Sequence, residues 1–139
     1  MDYRRFGNTI MIRMDPGEEI LSTLTGICRK EKVRLGHLSA LGAADYLELG
    51  VYDVSEHVYH KEQYTGAYEI TSLFGTVSEK DDDVYLHLHL TASTLHGETV
   101  GGHLSAARIS GTCEMALTVL DGSADRRKNE LTGLNDLNF

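Results

Sequence analysis

Val84-Tyr85-Leu86-His87-Leu88-His89-Leu90 alternates without interruption. A β-strand turns successive side chains to opposite faces, so Leu86, Leu88 and Leu90 share one face and His87 and His89 share the other. The leucine face reads as core. The histidine face can aim two imidazoles at one point. This strand is expected over 84–92 and ends before a turn around His96-Gly97. Gly101-Gly102-His103-Leu104 then opens the next strand, expected over about 103–120 and bent or bulged near Gly111. If the two strands are neighbours, His103 reaches the same point as His87 and His89. Gly101 and Gly102 leave room for close approach, or form a simple turn.

Upstream, Phe6, Ile10, Ile12 and Met14 predict a strand over 6–14. Asp15-Pro16-Gly17-Glu18 has the composition of a helix start, with Asp15 as cap, Pro16 at the first helical position and Glu18 at capping-box spacing. The helix is expected to run to about Lys30, with Ile20, Leu21, Leu24, Ile27 and Cys28 on its apolar face. Further strands are expected over 35–41, 45–53, 57–64 and 67–78, with a bend at Gly42 and a break at Gly66. Asp81-Asp82-Asp83 reads as a solvated hairpin loop. Short gaps between strands favour antiparallel pairing. The expected fold is α+β: a strongly curved, mainly antiparallel sheet of about seven strands, covered by the N-terminal helix.

With 139 residues, 41% of them apolar and 24% charged, the chain fits one globular domain. Its core is expected over about 5–121. A polar segment, 122–139, carries only spaced Leu131, Leu134, Leu137 and Phe139 and is expected to lie over a groove or a neighbouring subunit. No apolar stretch approaches a membrane span, and Met1-Asp2-Tyr3-Arg4-Arg5 does not open a secretory leader. Thirteen basic against 21 acidic residues give a net charge of −8, which argues against tight binding to a phosphate backbone. The best basic run, Arg126-Arg127-Lys128, is short and flanked by Asp125 and Glu130. Cys28 and Cys113 lie in apolar segments, as expected of buried free thiols in a reducing compartment, the cytoplasm.

Three imidazoles suit a borderline divalent metal such as zinc, and they leave a fourth position for water or substrate. A small molecule is therefore an expected ligand near the histidines. His57 and His60 do not share a strand face and read as surface or subunit-contact residues, and His96 sits beside a turn. His37 is a weaker candidate ligand. Glu69 and Glu114 each stand between apolar residues. Facing inward, either would serve as a general base beside a metal, with Glu69 the first choice and Glu114 the second. A phosphate loop, a G-x-S-x-G elbow and an HExxH motif are all missing.

Gly66-Ala67-Tyr68-Glu69-Ile70-Thr71, Leu86-His87-Leu88-His89 and Gly101-Gly102-His103-Leu104 together resemble the plants-and-prokaryotes-conserved (PPC) domain, also called domain of unknown function 296. Leu38-Ser39-Ala40-Leu41-Gly42-Ala43 and the Asp15–Glu18 segment add to the resemblance, which extends from about Arg5 to Leu137. The resemblance implies a homotrimer with a divalent-metal site at His87, His89 and His103. A similar fold occurs in acetolactate decarboxylase, a zinc enzyme with three histidine ligands. That kinship implies a metal-dependent hydrolase or decarboxylase as one reading. Plant members carry the domain behind AT-hook segments, and the family's naming suggests DNA binding as another. This chain has no AT-hook arm. Where the plant type has Gly-Arg-Phe-Glu-Ile-Leu, it carries Ala67, Tyr68 and Thr71, which argues against the plant-type role.

Overall fold

The strand expected over 6–14 starts only at Thr9, because Gly7 turns the chain back onto an earlier strand that the sequence pattern did not predict. A computed structural model describes residues 1–139. In it β1 (Asp2–Phe6) and β2 (Thr9–Met14) form a hairpin with Phe6 opposite Thr9. The turn between them needs Gly7 at φ 60°, a left-handed conformation open to glycine without steric cost.

The helix begins later than the sequence pattern suggests. Gly17 sits at φ 90°, which no helix admits, so Asp15-Pro16-Gly17-Glu18 forms a tight turn with proline and glycine at the positions a type II turn favours. Glu18 closes it by accepting the Asp15 amide at Oε2, 2.8 Å away. Helix α1 runs from Ile20 to Glu31 and is capped by Glu19 instead of Asp15. The Glu19 carboxylate accepts the Leu21 and Ser22 amides at 3.0 and 2.7 Å. At the other end Lys32 adopts a left-handed C-cap, with Arg29 and Lys30 in the last turn beside the negative end of the helix dipole.

Strands expected as separate pieces are continuous. β3 (Gly36–Asp53) passes through Gly42, and β4 (Val58–Lys80) passes through Gly66. At Gly66 the pairing jumps from Tyr46 opposite Thr65 to Ala44 opposite Tyr68, so that glycine makes an irregularity within a ladder, not an end to it. β5 spans Asp83–Ser93 and β6 spans Thr99–Val119. The expected bulge near Gly111 is present: β6 pairs Cys113 with Gly42, then Ile109 with Ala44. Asp81 and Asp82 both take positive φ in the two-residue turn joining β4 to β5, where Lys80 faces Asp83. The segment expected to be polar and laid over a groove forms a small hairpin of β7 (Asp125–Lys128) and β8 (Asn135–Asn138).

The main sheet has the order β1-β2-β6-β3-β4-β5, all antiparallel, and β5 also pairs with the start of β6. β3, β4, β5 and β6 thus make a closed circuit of pairings. Two sheets hold eight strands in all, against about seven expected. The chain buries Leu88 and Leu90 on one face of β5, together with alternate residues of β2, β3, β4 and β6, beneath Ile20, Leu24, Ile27 and Cys28 of α1. Burial pushes the Cys28 thiol up to about 12 and the Cys113 thiol to about 11, so both stay protonated and act as small apolar side chains. No helix is long and apolar enough to cross a membrane.

Candidate metal centre

His89 on β5 and His103 on β6 are direct cross-strand partners. The alternation that buries Leu88, Leu90 and Leu104 sends His87, His89 and His103 to the opposite face. The His87 and His89 ring centroids are 5.3 Å apart, and His103 lies 5.4 Å from His87 and 5.6 Å from His89. One ligand atom from each residue lies within 4.8 Å of the other two. The sequence expectation of three converging imidazoles therefore holds within a single chain.

Gly102 decides how closely β6 can approach. A Cβ there would stand 2.7 Å from the Gly50 carbonyl oxygen, so any side chain would push β6 from β3. Of the two roles open to Gly102 in the sequence, close approach is the one it fills.

Electrostatics favours the ligating form of the ring. Burial, then the neighbouring His87 and His89, pushes His103 down to about 4, and burial with the Arg126 charge lowers His87. Neutral imidazole, not imidazolium, binds metals. The His103 Nδ1 atom is buried without a hydrogen-bond partner. A buried polar atom left alone costs about 1–3 kcal/mol. Three imidazoles, one from each histidine, fit a divalent ion of intermediate softness.

The histidines form the floor of a cavity of about 550 Å³. Tyr52 and Tyr59 form one side, with ring centroids 4.8 Å apart, and Tyr59 packs 4.9 Å from His103. The β7–β8 hairpin forms another side through Arg126, Leu134, Asn135, Asp136 and Leu137. Tyr52 fastens this segment by donating its hydroxyl to the Thr132 carbonyl at 2.8 Å. Arg126 lies over the Tyr85 ring, its Cζ 4.8 Å from the centroid. Sequence reasoning missed Arg126 and the three tyrosines. Arg126 stood out only as part of a basic run, and nothing local marks a tyrosine as a cavity wall.

The other candidates fall elsewhere. Glu69 is exposed on β4 opposite Ser93, whereas His89 faces Phe74 and His87 faces Thr76. Glu69 lies five positions before Phe74, roughly 16 Å along a strand at about 3.3 Å per residue. Within one chain Glu69 does not reach the histidines. Glu114 is also exposed, opposite Arg13 on β2, and does not line the cavity. His57 Nε2 lies 3.3 Å from the Leu131 carbonyl oxygen and helps hold the C-terminal segment. His60 lies beside Glu56 and Asp53 near the exposed tip joining β3 to β4. His37, facing Thr76, borders a shallow depression shared with His87 and His89.

The Plants and Prokaryotes Conserved (PCC) domain matches residues 1–121. The chain belongs to this family. The match stops before the β7–β8 hairpin, the element that walls the histidine cavity. No curated protein matches the sequence. Among solved structures, a Bacteroides thetaiotaomicron protein bearing a provisional DNA-binding name is 27% identical, with a TM-score of 0.96 over 99% of this chain and 96% of that one. A metal-containing protein from Archaeoglobus fulgidus is 29% identical, with a TM-score of 0.90 over 100% and 99%. A plant- and prokaryote-conserved protein from Pyrococcus horikoshii is 24% identical, with a TM-score of 0.87 over 99% and 94%, and shares the fold.

Proposed function

We propose that this PCC-domain protein is a homotrimer that holds a divalent metal ion, zinc first among the candidates, through His87, His89 and His103, and receives a small molecule in the cavity above them. The carrying observation is the convergence of three imidazoles, one ligand atom from each lying within 4.8 Å of the other two. The Archaeoglobus relative, itself metal-containing, supports the reading at 29% identity. A metal ion here would supply Lewis acidity toward a ligand oxygen. The chain's own residues shape the rest. β5 and β6 fix the three rings by backbone pairing, Tyr52 and Tyr59 wall one side of the cavity, and the β7–β8 hairpin walls another.

Trimer formation is supported by an apolar area on the outer face of the sheet. Phe74 is 59% exposed, Leu41 57% and Met11 44%. Phe74 is also the cross-strand partner of His89, so a neighbouring copy seated on this face would lie beside the histidines. A catalytic role for Glu69 then requires a second copy to deliver it. Hydrolysis and decarboxylation are the reaction classes consistent with an open three-histidine site.

A DNA-binding role draws on the Bacteroides relative's name. The net charge of −8 opposes it, and Arg126, the first residue of the best basic run, is turned into the cavity. Elemental analysis of purified, untagged protein tests the metal reading. About one divalent ion per chain is expected, and metal far below one equivalent under chelator-free conditions defeats it.

A further inference from the structure

Arg126 is the one half-buried arginine without an acidic partner. Arg5, Arg13, Arg29, Arg34 and Arg108 all pair with carboxylates. Arg4 and Arg127 are exposed. Arg126 instead donates from Nε to Ser78 Oγ at 3.0 Å, from Nη1 to the Asn135 carbonyl at 2.9 Å and from Nη2 to Thr76 Oγ1 at 3.1 Å. All three acceptors are neutral. A guanidinium carries five N–H donors, so two remain free. The nearby acids are engaged elsewhere: Asp125 Oδ1 accepts the Arg126 amide, and Asp136 Oδ2 accepts from Asn129 Nδ2.

A partly buried cation among neutral dipoles is held at a cost that an anion removes. The dipoles here fix the guanidinium plane, and Tyr85 supports its face. That is a pre-oriented fork, not a loose surface arginine. It shares one cavity with the three histidines; Val51, Tyr52, Tyr59, Leu134 and Leu137 give apolar and aromatic wall, and Asp136 is the one carboxylate in the lining, held by Asn129 through Oδ2.

We propose that this cavity binds a small organic carboxylate, with Arg126 holding the carboxylate and the tyrosine and leucine walls holding an apolar body. The volume of about 550 Å³ suits a small molecule. One cation with two free donors matches a single carboxylate, whereas phosphate sites gather backbone amides at a helix N-terminus or glycine-rich loop, and the only long helix here spends its first amides on Glu19. The proposal rests on the cavity being a ligand site, but it does not require a metal ion. The β7–β8 hairpin, beyond the matched PCC domain, thereby becomes the element that selects the ligand.

The test uses benzoate as a carboxylate on an apolar ring and benzamide as its uncharged counterpart. Amide chemical shifts of the full chain are followed by NMR, once with zinc and once with chelator. Saturable binding of benzoate is expected in both states, with shifts at Thr76, Tyr85, His103, Arg126 and Asn135. Benzamide should bind about tenfold or more weakly, the effect of losing a charge-assisted hydrogen bond. Arg126→Gln should weaken benzoate by a similar factor and erase its advantage over benzamide, while Arg126→Lys keeps part of it. The benzoate-to-benzamide ratio in the unmodified protein carries the test even if the variants disturb the hairpin. Equal affinities for the two probes, tighter binding of phenylphosphonate than benzoate, or no saturation in either state overturns the proposal. Metal content measured on the same samples reports separately on the metal centre.

Discussion

His89 and His103 face each other across the β5–β6 ladder, although thirteen residues of strand, turn and glycine pair separate them in the chain. Their rings stand 5.6 Å apart and perpendicular, with His87 completing the group from the same face of β5. Backbone pairing, not side-chain contact, therefore sets the geometry of the candidate metal centre, and a ring can be removed without dismantling its support.

His89→Ala should lower metal content from about one equivalent to near zero while leaving the fold intact. His89 is exposed, and its neighbours Leu88 and Leu90, each 1% exposed, keep their packing. Elemental analysis paired with a thermal melt in chelator checks this. Loss of both metal and cooperative unfolding would show that the ring is structural.

Gly102→Ala should act through the backbone. The new Cβ would meet the Gly50 carbonyl at 2.7 Å, and neither strand can yield cheaply because both are paired on two sides. Overpacking of this kind costs about 1–3 kcal/mol. Urea denaturation should report that loss, and zinc affinity should fall with it because His103 is the next residue. Unchanged stability would place β6 farther from β3 than the register requires.

Metal-free protein should lose stability as the pH falls from about 6.5 toward 4. His103 is held down to about 4 in the folded chain, chiefly by burial, and His87 is lowered as well. In the unfolded chain a histidine takes its proton near its ordinary value of about 6.5. Between those values the unfolded state binds more protons, so the stability present above about 6.5 is progressively lost on acidification. Urea titrations in chelator across this range, compared with His103→Asn, check the slope. An equally steep loss in the variant would assign it to other groups.

Light scattering should give a mass of about 46 kDa, three times the 15.4 kDa chain. Phe74→Glu places a charge in the exposed apolar area and should shift the mass toward a single chain, with the fold retained because residue 74 points away from the core. A single-chain mass for the unmodified protein at all concentrations would remove the trimer from the proposal.

Much of the fold was legible because alternation is a local property. Leu88 and Leu90 against His87 and His89 can be read from consecutive residues, and so can the apolar stripe of α1. Glycine was the weak point. Gly7 ends a strand, Gly17 delays a helix and Gly66 only kinks a ladder, yet all three have positive φ and none declares its role in isolation. What surrounds each glycine decides between turn, cap and bulge: Gly17, for one, donates its amide to the Ile109 carbonyl of β6 at 2.7 Å.

The candidate site divides in the same way. The chain's residue order alone determined which face each histidine takes, because a strand's two-residue period leaves no choice once the leucines are buried. Tertiary structure alone decided that Glu69 lies far along β4, that Arg126 leaves a basic run to enter the cavity, and that Tyr52 and Tyr59 wall it. Those placements depend on register and on the docking of β7–β8, which are settled by pairing partners distant in the chain and leave no periodic trace near the residues they position.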